Sequence, residues 1–472
     1  MIEHRLSGTT HIEGNLMDTV DTIAAISTPP GEGGIGIVRV SGPAAMDAVR
    51  PLFVSATGRD IGSGDRQVYY GEICVGGDVI DEVLVHVMRG PNSYTAEDVV
   101  EINCHGGMVP SNAILASVLE RGVRLADPGE FTKRAFLNGR LDLVQAEAVM
   151  DRIQAMTRAG LKAASAAARG QLSKMIHAFR EDLLFIKARI EAAVDFPEDD
   201  LPELITAELK GKVASVLRGM EALYETADVG RLYREGASVV IAGRPNVGKS
   251  SLFNALLRDA RVIVTQHAGT TRDVIEDVIM VDGIPVRLAD MAGLRETDDE
   301  VERIGVERAW TMARESDMIL LVVDASEPLC DADDEIFQRI IDLDAPIVIV
   351  ANKIDLGNEV NLLRYSEKVV ECCSVSAFEE TGLAELEQVV AAELKHGGDF
   401  AADQGMLTRV HQKASLRRGI EALKRLESNY SESPEFMSID MDEALAALGE
   451  ITGETTPDEV LGEIFGSFCI GK

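Results

Sequence analysis

A chain of 472 residues is too long for one compact core, so two to four domains are expected. Its 79 acidic against 46 basic side chains give a formal charge of -33, read first as a device for solubility. Such a surface opposes non-specific binding to nucleic acid or anionic membrane, so any contact with RNA should be confined to a local basic patch or supplied by a partner. The six cysteines form no C-x-x-C pair and no His cluster stands at zinc spacing. No run approaches the roughly 20 apolar residues of a bilayer span, and Glu3, His4, Arg5 and Asp18 interrupt any leader. Reduced thiols, no membrane attachment and a cytoplasmic location are therefore expected.

Residues 1–17 read as an extension without periodicity. From about residue 18 to 135, short β-like runs (Thr22 to Ile26, Ile35 to Val40, Val68 to Cys74, Val79 to Met88, Val99 to Ile102) are separated by Gly and Pro. An amphipathic helix from Ser111 to Arg121 joins them in an α+β domain. Residues 136–235 are Ala-rich and helical, broken at Pro197 and Pro202. Across 236–395, apolar runs at Val239 to Ala242, Val286 to Ala289, Met318 to Val323 and Pro346 to Val350 alternate with helical segments, the pattern of a parallel α/β sheet. Residues 396–472 are helical again. The spacing thus predicts a multi-domain α/β and α+β chain, with an α/β domain inserted between two halves of a helical one.

Gly243-Arg244-Pro245-Asn246-Val247-Gly248-Lys249-Ser250 matches G-x-x-x-x-G-K-[ST] after an apolar strand and before a helix, the context a P-loop requires. Its backbone N–H groups can surround phosphates, Lys249 supplies a charge to the outer ones, and the Ser250 hydroxyl suits magnesium (Mg²⁺). Asp290-Met291-Ala292-Gly293 ends the next core strand with D-x-x-G spacing, and Thr270 and Thr271 in the intervening loop are candidates to close over the metal. Asn352-Lys353-Ile354-Asp355 follows a further strand. A carboxylate at Asp355 can accept from guanine N1–H and N2–H₂, donors that adenine lacks. Ser376-Ala377 offers backbone N–H to the guanine oxygen. Together these elements specify GTP. Leu294 occupies the place where many GTPases carry a water-orienting Gln. Asn246 either coordinates a monovalent cation or merely ties down its loop.

Several runs now carry a resemblance. Ala268 to Asp273, Asp290 to Glu296 and Glu300 to Gly305 are similar to the tRNA-modification GTPase family MnmE, also called TrmE. So are Asp21 to Ala24, Thr28 to Arg39, Pro91 to Thr95, His105 to Gly107, Gly129 to Asp142 and the ending Phe468-Cys469-Ile470-Gly471-Lys472. The resemblance implies an N-terminal domain that binds a tetrahydrofolate derivative (the 5-formyl or methylene form) and dimerises. It also implies a helical domain split by the GTPase domain. A MnmG-type FAD-containing partner would join the homodimer in a heterotetramer or larger complex. The product would be an aminomethyl-type (carboxymethylaminomethyl) group on C5 of the wobble uridine of certain tRNAs.

Carried over by position, GTP would be surrounded by Asn246, Val247, Gly248, Lys249, Ser250 and Ser251, then by Thr265, Gln266, His267, Ala268, Gly269, Thr270 and Thr271. Asp290, Met291, Ala292 and Gly293, then Asn352, Lys353, Ile354 and Asp355, and finally Ser376, Ala377 and Phe378 complete the set. Ser250 and Thr271 would hold Mg²⁺. Asn246, Thr265, His267 and Thr270 would hold potassium (K⁺), completing the site when two GTPase domains pair. Glu302 would orient the attacking water, and Arg295 would stabilise the closed switch. Folate would meet Arg39, Glu101, Arg140 and Lys472. Cys469 is either a functional thiol or a small buried hydrophobe. Met291 replaces the family's usual Thr, and His267 stands where an apolar residue is common. A regulatory or ribosome-assembly GTPase switch without tRNA-modifying chemistry is the competing expectation.

Overall fold

The computed structural model describes residues 21–62, 64–195, 206–259, 277–290, 310–357, 359–365, 369–395, 402–430 and 434–472. They fall into two compact units, the first running to Glu147 and joined by Thr455–Lys472, the second spanning Ala148–Glu454.

The first unit is built on a seven-stranded sheet. Its strands are β1 (Ile23–Ile26), β2 (Gly36–Ser41), β3 (Phe53–Ser55), β4 (Gln67–Val75), β5 (Asp78–Met88), β6 (Val99–Cys104) and β7 (Arg124–Leu125), in the order β3-β4-β5-β6-β2-β1-β7. Period-two alternation explains β4, where Tyr69 and Ile73 are buried while Val68, Tyr70 and Glu72 face out. Strands β2 and β6 run antiparallel with Arg39 opposite Glu101, a register that pairs opposite charges on one face. Helices α1 (Ala45–Val49) and α2 (Met108–Leu119) belong to this unit. Ile114 and Val118 of α2 close a core with Val38, Val40 and Ile102. The helix expected from Ser111 begins at Met108.

Helix α3 (Glu130–Leu137) carries Phe131 into a smaller cluster with Ile23, Ala25 and Ala126. It also buries Arg134 at 2% exposure, which sequence reading missed. That guanidinium survives burial because Asp21 (2.5 Å), Glu130 (2.9 Å) and Glu97 (3.2 Å) surround it. The last segment, Thr455–Lys472, at the end of the helical stretch expected over 396–472, clusters with this unit. Helix α14 (Asp458–Gly466) packs on this first unit, with the Phe465 ring 6.0 Å from Phe136 and 5.5 Å from Phe468. Gly129 makes the approach feasible: its φ is +67°, and a Cβ there would lie 2.4 Å from the Phe465 carbonyl oxygen.

In the second unit, helix α4 (Leu143–Gln154, shared with the first) is followed by α5 (Arg158–Ala168), α6 (Gln171–Asp195), α7 (Ala207–Tyr224) and α8 (Ala227–Glu235). Helices α12 (Val410–Ser428) and α13 (Pro434–Thr452) return to pack with α6 and α7. Leu416, Ile420, Leu423 and Leu426 form the buried stripe of α12 at helical spacing. Between α8 and α12 lies a six-stranded sheet of β8 (Ala237–Ala242), β9 (Asp277–Val281), β10 (Ile284–Asp290), β11 (Met318–Asp324), β12 (Ile347–Asn352) and β13 (Val369–Ser374). The order is β13-β12-β11-β8-β10-β9, parallel except for the edge strand β9. Every residue of β11 and β12 is buried, as expected of strands covered on both faces. Helices α9 (Lys249–Asp259), α10 (Asp331–Ile340) and α11 (Leu383–Leu394) complete this layer.

The chain leaves the helical segment and returns to it at one place. Asp151 of α4 accepts from Arg234 Nε at 3.2 Å, before β8, and from Arg409 Nη2 at 2.7 Å, before α12. Arg234 also donates to the Thr408 carbonyl at 3.3 Å. Among the described residues no helix is long and apolar enough to cross a membrane.

Candidate functional site

The P-loop turns directly off buried β8. Gly243 has φ +147° and Gly248 φ +99°, and a Cβ at Gly248 would sit 2.2 Å from Asn352 Nδ2. Both positions therefore need glycine for conformation and for space. Asn246 also takes a left-handed conformation (φ +68°), which Asn tolerates better than most residues, and its side chain is exposed. Val247 is buried under the loop as its apolar anchor. Lys249 Nζ curls back to the carbonyls of Gly243 (2.9 Å) and Arg244 (3.1 Å), so the ammonium is held inside the loop's concavity. Ser250 and Ser251 are exposed on the first turn of α9, where backbone N–H groups and the helix dipole favour an anion.

Asn352, at the end of β12, is 2% exposed and reaches in two directions. Its Nδ2 donates to the Val247 carbonyl at 2.9 Å, and its Oδ1 accepts from Ala377 N–H at 3.0 Å. One amide thus locks the phosphate loop to the Ser376-Ala377 loop. Lys353, itself at φ +67°, donates to the Asn246 carbonyl at 2.7 Å and to Asp324 Oδ2 at 2.6 Å. Burial pushes the Asp324 carboxyl up, but hydrogen bonds from Lys353 and Ser326 outweigh it and hold the group below the usual carboxylate range. Asp324 thus holds the Lys353 ammonium, a role that sequence reading missed; its only sequence signal was an acidic residue ending a core strand.

Asp355 is exposed, and its Oδ1 accepts from the Ser376 hydroxyl at 2.5 Å. Ser376 is fully buried and also accepts from Glu379 N–H at 3.1 Å, so the carboxylate is aimed by a rigid loop. Ile354 is half-buried, whereas Phe378 is 89% exposed and stands at the rim. The structure thus brings together the P-loop, Asn352 to Asp355 and Ser376 to Ala377 at the carboxyl ends of β8 and β12, where open α/β sheets bind ligands. Asp290 ends β10, which pairs with β8 in parallel. Thr265 to Thr271, Met291 to Gly293, Arg295 and Glu302 lie outside the described residues.

The expected folate residues gather in the first unit. Arg39 Nε donates to Glu101 Oε1 at 2.8 Å, and Arg39 Nη1 to the Gly471 carbonyl at 3.1 Å. The Arg39 guanidinium stands 5.3 Å from the Tyr94 ring centre, and that of Arg140 stands 5.1 Å from the same ring. Two cations thus approach one aromatic ring. Lys472 is half-buried beside them, and burial together with Arg39 lowers its ammonium pKa. The Ser27 hydroxyl also donates to the Gly471 carbonyl at 3.0 Å. This cluster is cationic and aromatic, chemistry that suits a flat heterocycle with an anionic tail. Cys469 is exposed, which removes the reading of it as a small buried hydrophobe.

With this geometry in hand, comparison with known proteins is decisive. The sequence pattern of the MnmE helical domain matches residues 143–469, and that described as "GTP-binding protein TrmE N-terminus" matches residues 22–140. The tRNA modification GTPase MnmE of Alkaliphilus oremlandii is 45% identical over 461 residues, covering 96% of this chain and 99% of the relative. The chain belongs to the MnmE family. The MnmE proteins of Carboxydothermus hydrogenoformans (45% identical, 96% of this chain and 99% of the relative) and Geobacillus thermodenitrificans (44%, 97% and 100%) agree. A crystal structure of Aquifex aeolicus Era bound to GDP·AlF₄⁻ is 30% identical over 39% of this chain and 66% of that one, with a TM-score of 0.28.

Proposed function

We propose that the chain hydrolyses GTP in the service of tRNA modification. With an FAD-containing partner of the MnmG type, it installs a carboxymethylaminomethyl-type group on C5 of the wobble uridine. Membership of the MnmE family supports the substrate class. The observation that carries the nucleotide half is the two-sided bond of Asn352, which sets the phosphate loop and the Asp355–Ser376 pair into one rigid recognition surface.

Ser250, exposed on the first turn after Lys249, suits Mg²⁺, and Asn246 offers an exposed amide within the loop for K⁺. Mg²⁺ and K⁺ supply positive charge to the phosphates during hydrolysis. Pairing of two GTPase domains would complete the K⁺ site, with Thr265, His267, Thr270 and Thr271 contributing and with Glu302 and Arg295 acting at the water and the switch. In the first unit, Arg39, Glu101, Arg140, Lys472 and the Tyr94 ring would hold a tetrahydrofolate derivative, which supplies the one-carbon unit when bound. The chain acts as a homodimer in this reading.

The test is GTP turnover in K⁺ and in Na⁺ across a range of protein concentrations. Turnover that rises more than proportionally with protein, and only in K⁺, is expected; indifference to cation and strict proportionality refute pairing. A Glu302→Ala variant at the parental rate would remove that residue's role. For the modification itself, wobble uridines from cells lacking the chain should be unmodified at C5.

A further inference from the structure

From Arg152 to Arg180 the sequence holds no Asp or Glu, so all 79 acidic residues lie elsewhere, while Arg152, Arg158, Lys162, Arg169, Lys174 and Arg180 fall inside. In a chain of net charge -33 this is an electropositive island. Folding arranges it. At roughly 100° per residue, Lys162 lies about 40° and Arg169 about 20° around α5 from Arg158, so the three form one stripe. Arg152, near the end of α4, donates from Nη2 to the Ser165 carbonyl at 3.4 Å. Ser165 sits about 20° from Arg158 on the other side, so Arg152 joins the same stripe. All four cations are exposed. The opposite face of α5 is buried through Gly160, Ala163, Ala164 and Ala166, which fixes which side looks out.

An ordinary solvated helix balances its charges, and α12 does so. Lys413 pairs with Asp228, Arg417 with Glu421, Arg418 with Glu450 and Lys424 with Glu221. Among the described residues, Arg152, Arg158 and Arg169 make no ion pair; one carboxylate, Asp403, meets Lys162 at 3.1 Å. Exposed Met156 (47%) and Leu161 (46%) lie among the cations.

We infer that this stripe is where the chain docks the phosphate backbone of tRNA, an inference that rests on the tRNA-modifying reading above. Charge complementarity selects the partner, since the rest of the surface repels a polyanion and this face attracts one. The stripe runs about 16 Å from Arg158 to Arg169, enough to span several consecutive phosphates. A protein partner is the competing occupant.

The test compares two triple variants of the full chain with equal net charge. One is Arg158→Gln/Lys162→Gln/Arg169→Gln; the control is Arg50→Gln/Arg417→Gln/Lys424→Gln, at exposed positions outside the stripe. Binding of a tRNA transcript with an unmodified wobble uridine is followed by fluorescence anisotropy from about 50 to 200 mM salt. The stripe variant should bind at least about tenfold more weakly at the low-salt end, with the slope of log affinity against log salt reduced by about 2 to 3. The control should stay within about twofold of the parent, and both variants should melt at the parental temperature. Equal affinities and slopes for the two variants overturn the stripe, as does lost modification in cells with tRNA affinity unchanged, which would assign this face to a protein partner. If the stripe variant binds tRNA as the parent does and fully restores wobble modification, the inference fails while the functional reading stands. Normal wobble uridines in cells lacking the chain would defeat the functional reading, and the inference with it.

Discussion

The side-chain amide of Asn352 donates to the backbone carbonyl of Val247 at 2.9 Å, joining the end of β12 to the floor of the phosphate loop. Replacing Asn352 by Ala strips partners from the Val247 carbonyl and from the Ala377 N–H, both in a site that is otherwise closely packed. Each unpaired buried group costs about 1–3 kcal/mol. Affinity of Asn352→Ala for a fluorescent GTP analogue should fall about 30-fold or more. An unchanged dissociation constant would show that the two loops hold their places without this bridge.

Asp355 discriminates bases through acceptor geometry, so its chemistry can be inverted. An amide at this position presents an N–H₂ donor, which clashes with guanine N2–H₂ and matches the 2-oxo group of xanthine. Asp355→Asn should lose about 100-fold or more in GTP affinity and gain for XTP, because a mismatched polar pair costs several kcal/mol in total. Competition between the two nucleotides measures the switch, and parallel losses for both would contradict it.

Gly471 has φ +90°, and a Cβ there would lie 2.4 Å from the Ile26 carbonyl oxygen. Gly471→Ala should lift the segment that accepts from Ser27 and Arg39 and carries Lys472. Tetrahydrofolate binding, read by calorimetry, should weaken at least about tenfold while GTP affinity stays at the parental value. Folate binding equal to the parent's would separate the tail from that cluster.

His411 is pushed down to about 4, first by burial and then by Arg409 and Arg234. Unfolded, the ring titrates near 6.5, so the unfolded state takes up the proton first as pH falls. The stability tied to the neutral ring is therefore complete above about pH 6.5 and drains away toward pH 4, by up to about 3 kcal/mol. Urea unfolding at pH 7 and pH 5 should show a loss of about 2 kcal/mol from this group, and His411→Gln should flatten that part of the profile. A parallel pH dependence in both proteins would place the titration elsewhere.

What the sequence made legible follows periodicity and local motif. Buried β11 and β12 announced themselves as continuous apolar runs, and the P-loop by glycines whose positive φ values no other residue meets cheaply. Edge strand β9 was missed because its Asp277 to Val281 run is short and its partner is a single neighbour. Arg134 and Asp324 were missed for another reason. Each is a charge stabilised in part by partners far away in sequence, Asp21 and Glu97 for Arg134 and Lys353 for Asp324, and no local pattern records such a partner. The packing of helix α14 beside Phe136 was not legible, because helical spacing tells which face is apolar, not which surface covers it.

Arg234 and Arg409 grip one carboxylate, although some 170 residues of chain run between them. Seen from the helices, everything from β8 to α11 is a single long excursion whose two ends are already closed. Closing a loop costs free energy only as the logarithm of its length, so the length of the excursion weighs little on the α6–α7–α12–α13 bundle, whereas Val229, Leu232 and Tyr233 of α8 share the core of the sheet and depend on it. A gene with residues 236 to 407 replaced by a few glycines and serines should still yield a folded α6–α7–α12–α13 bundle. On those grounds a catalytic module could have been spliced into an older helical protein in one step.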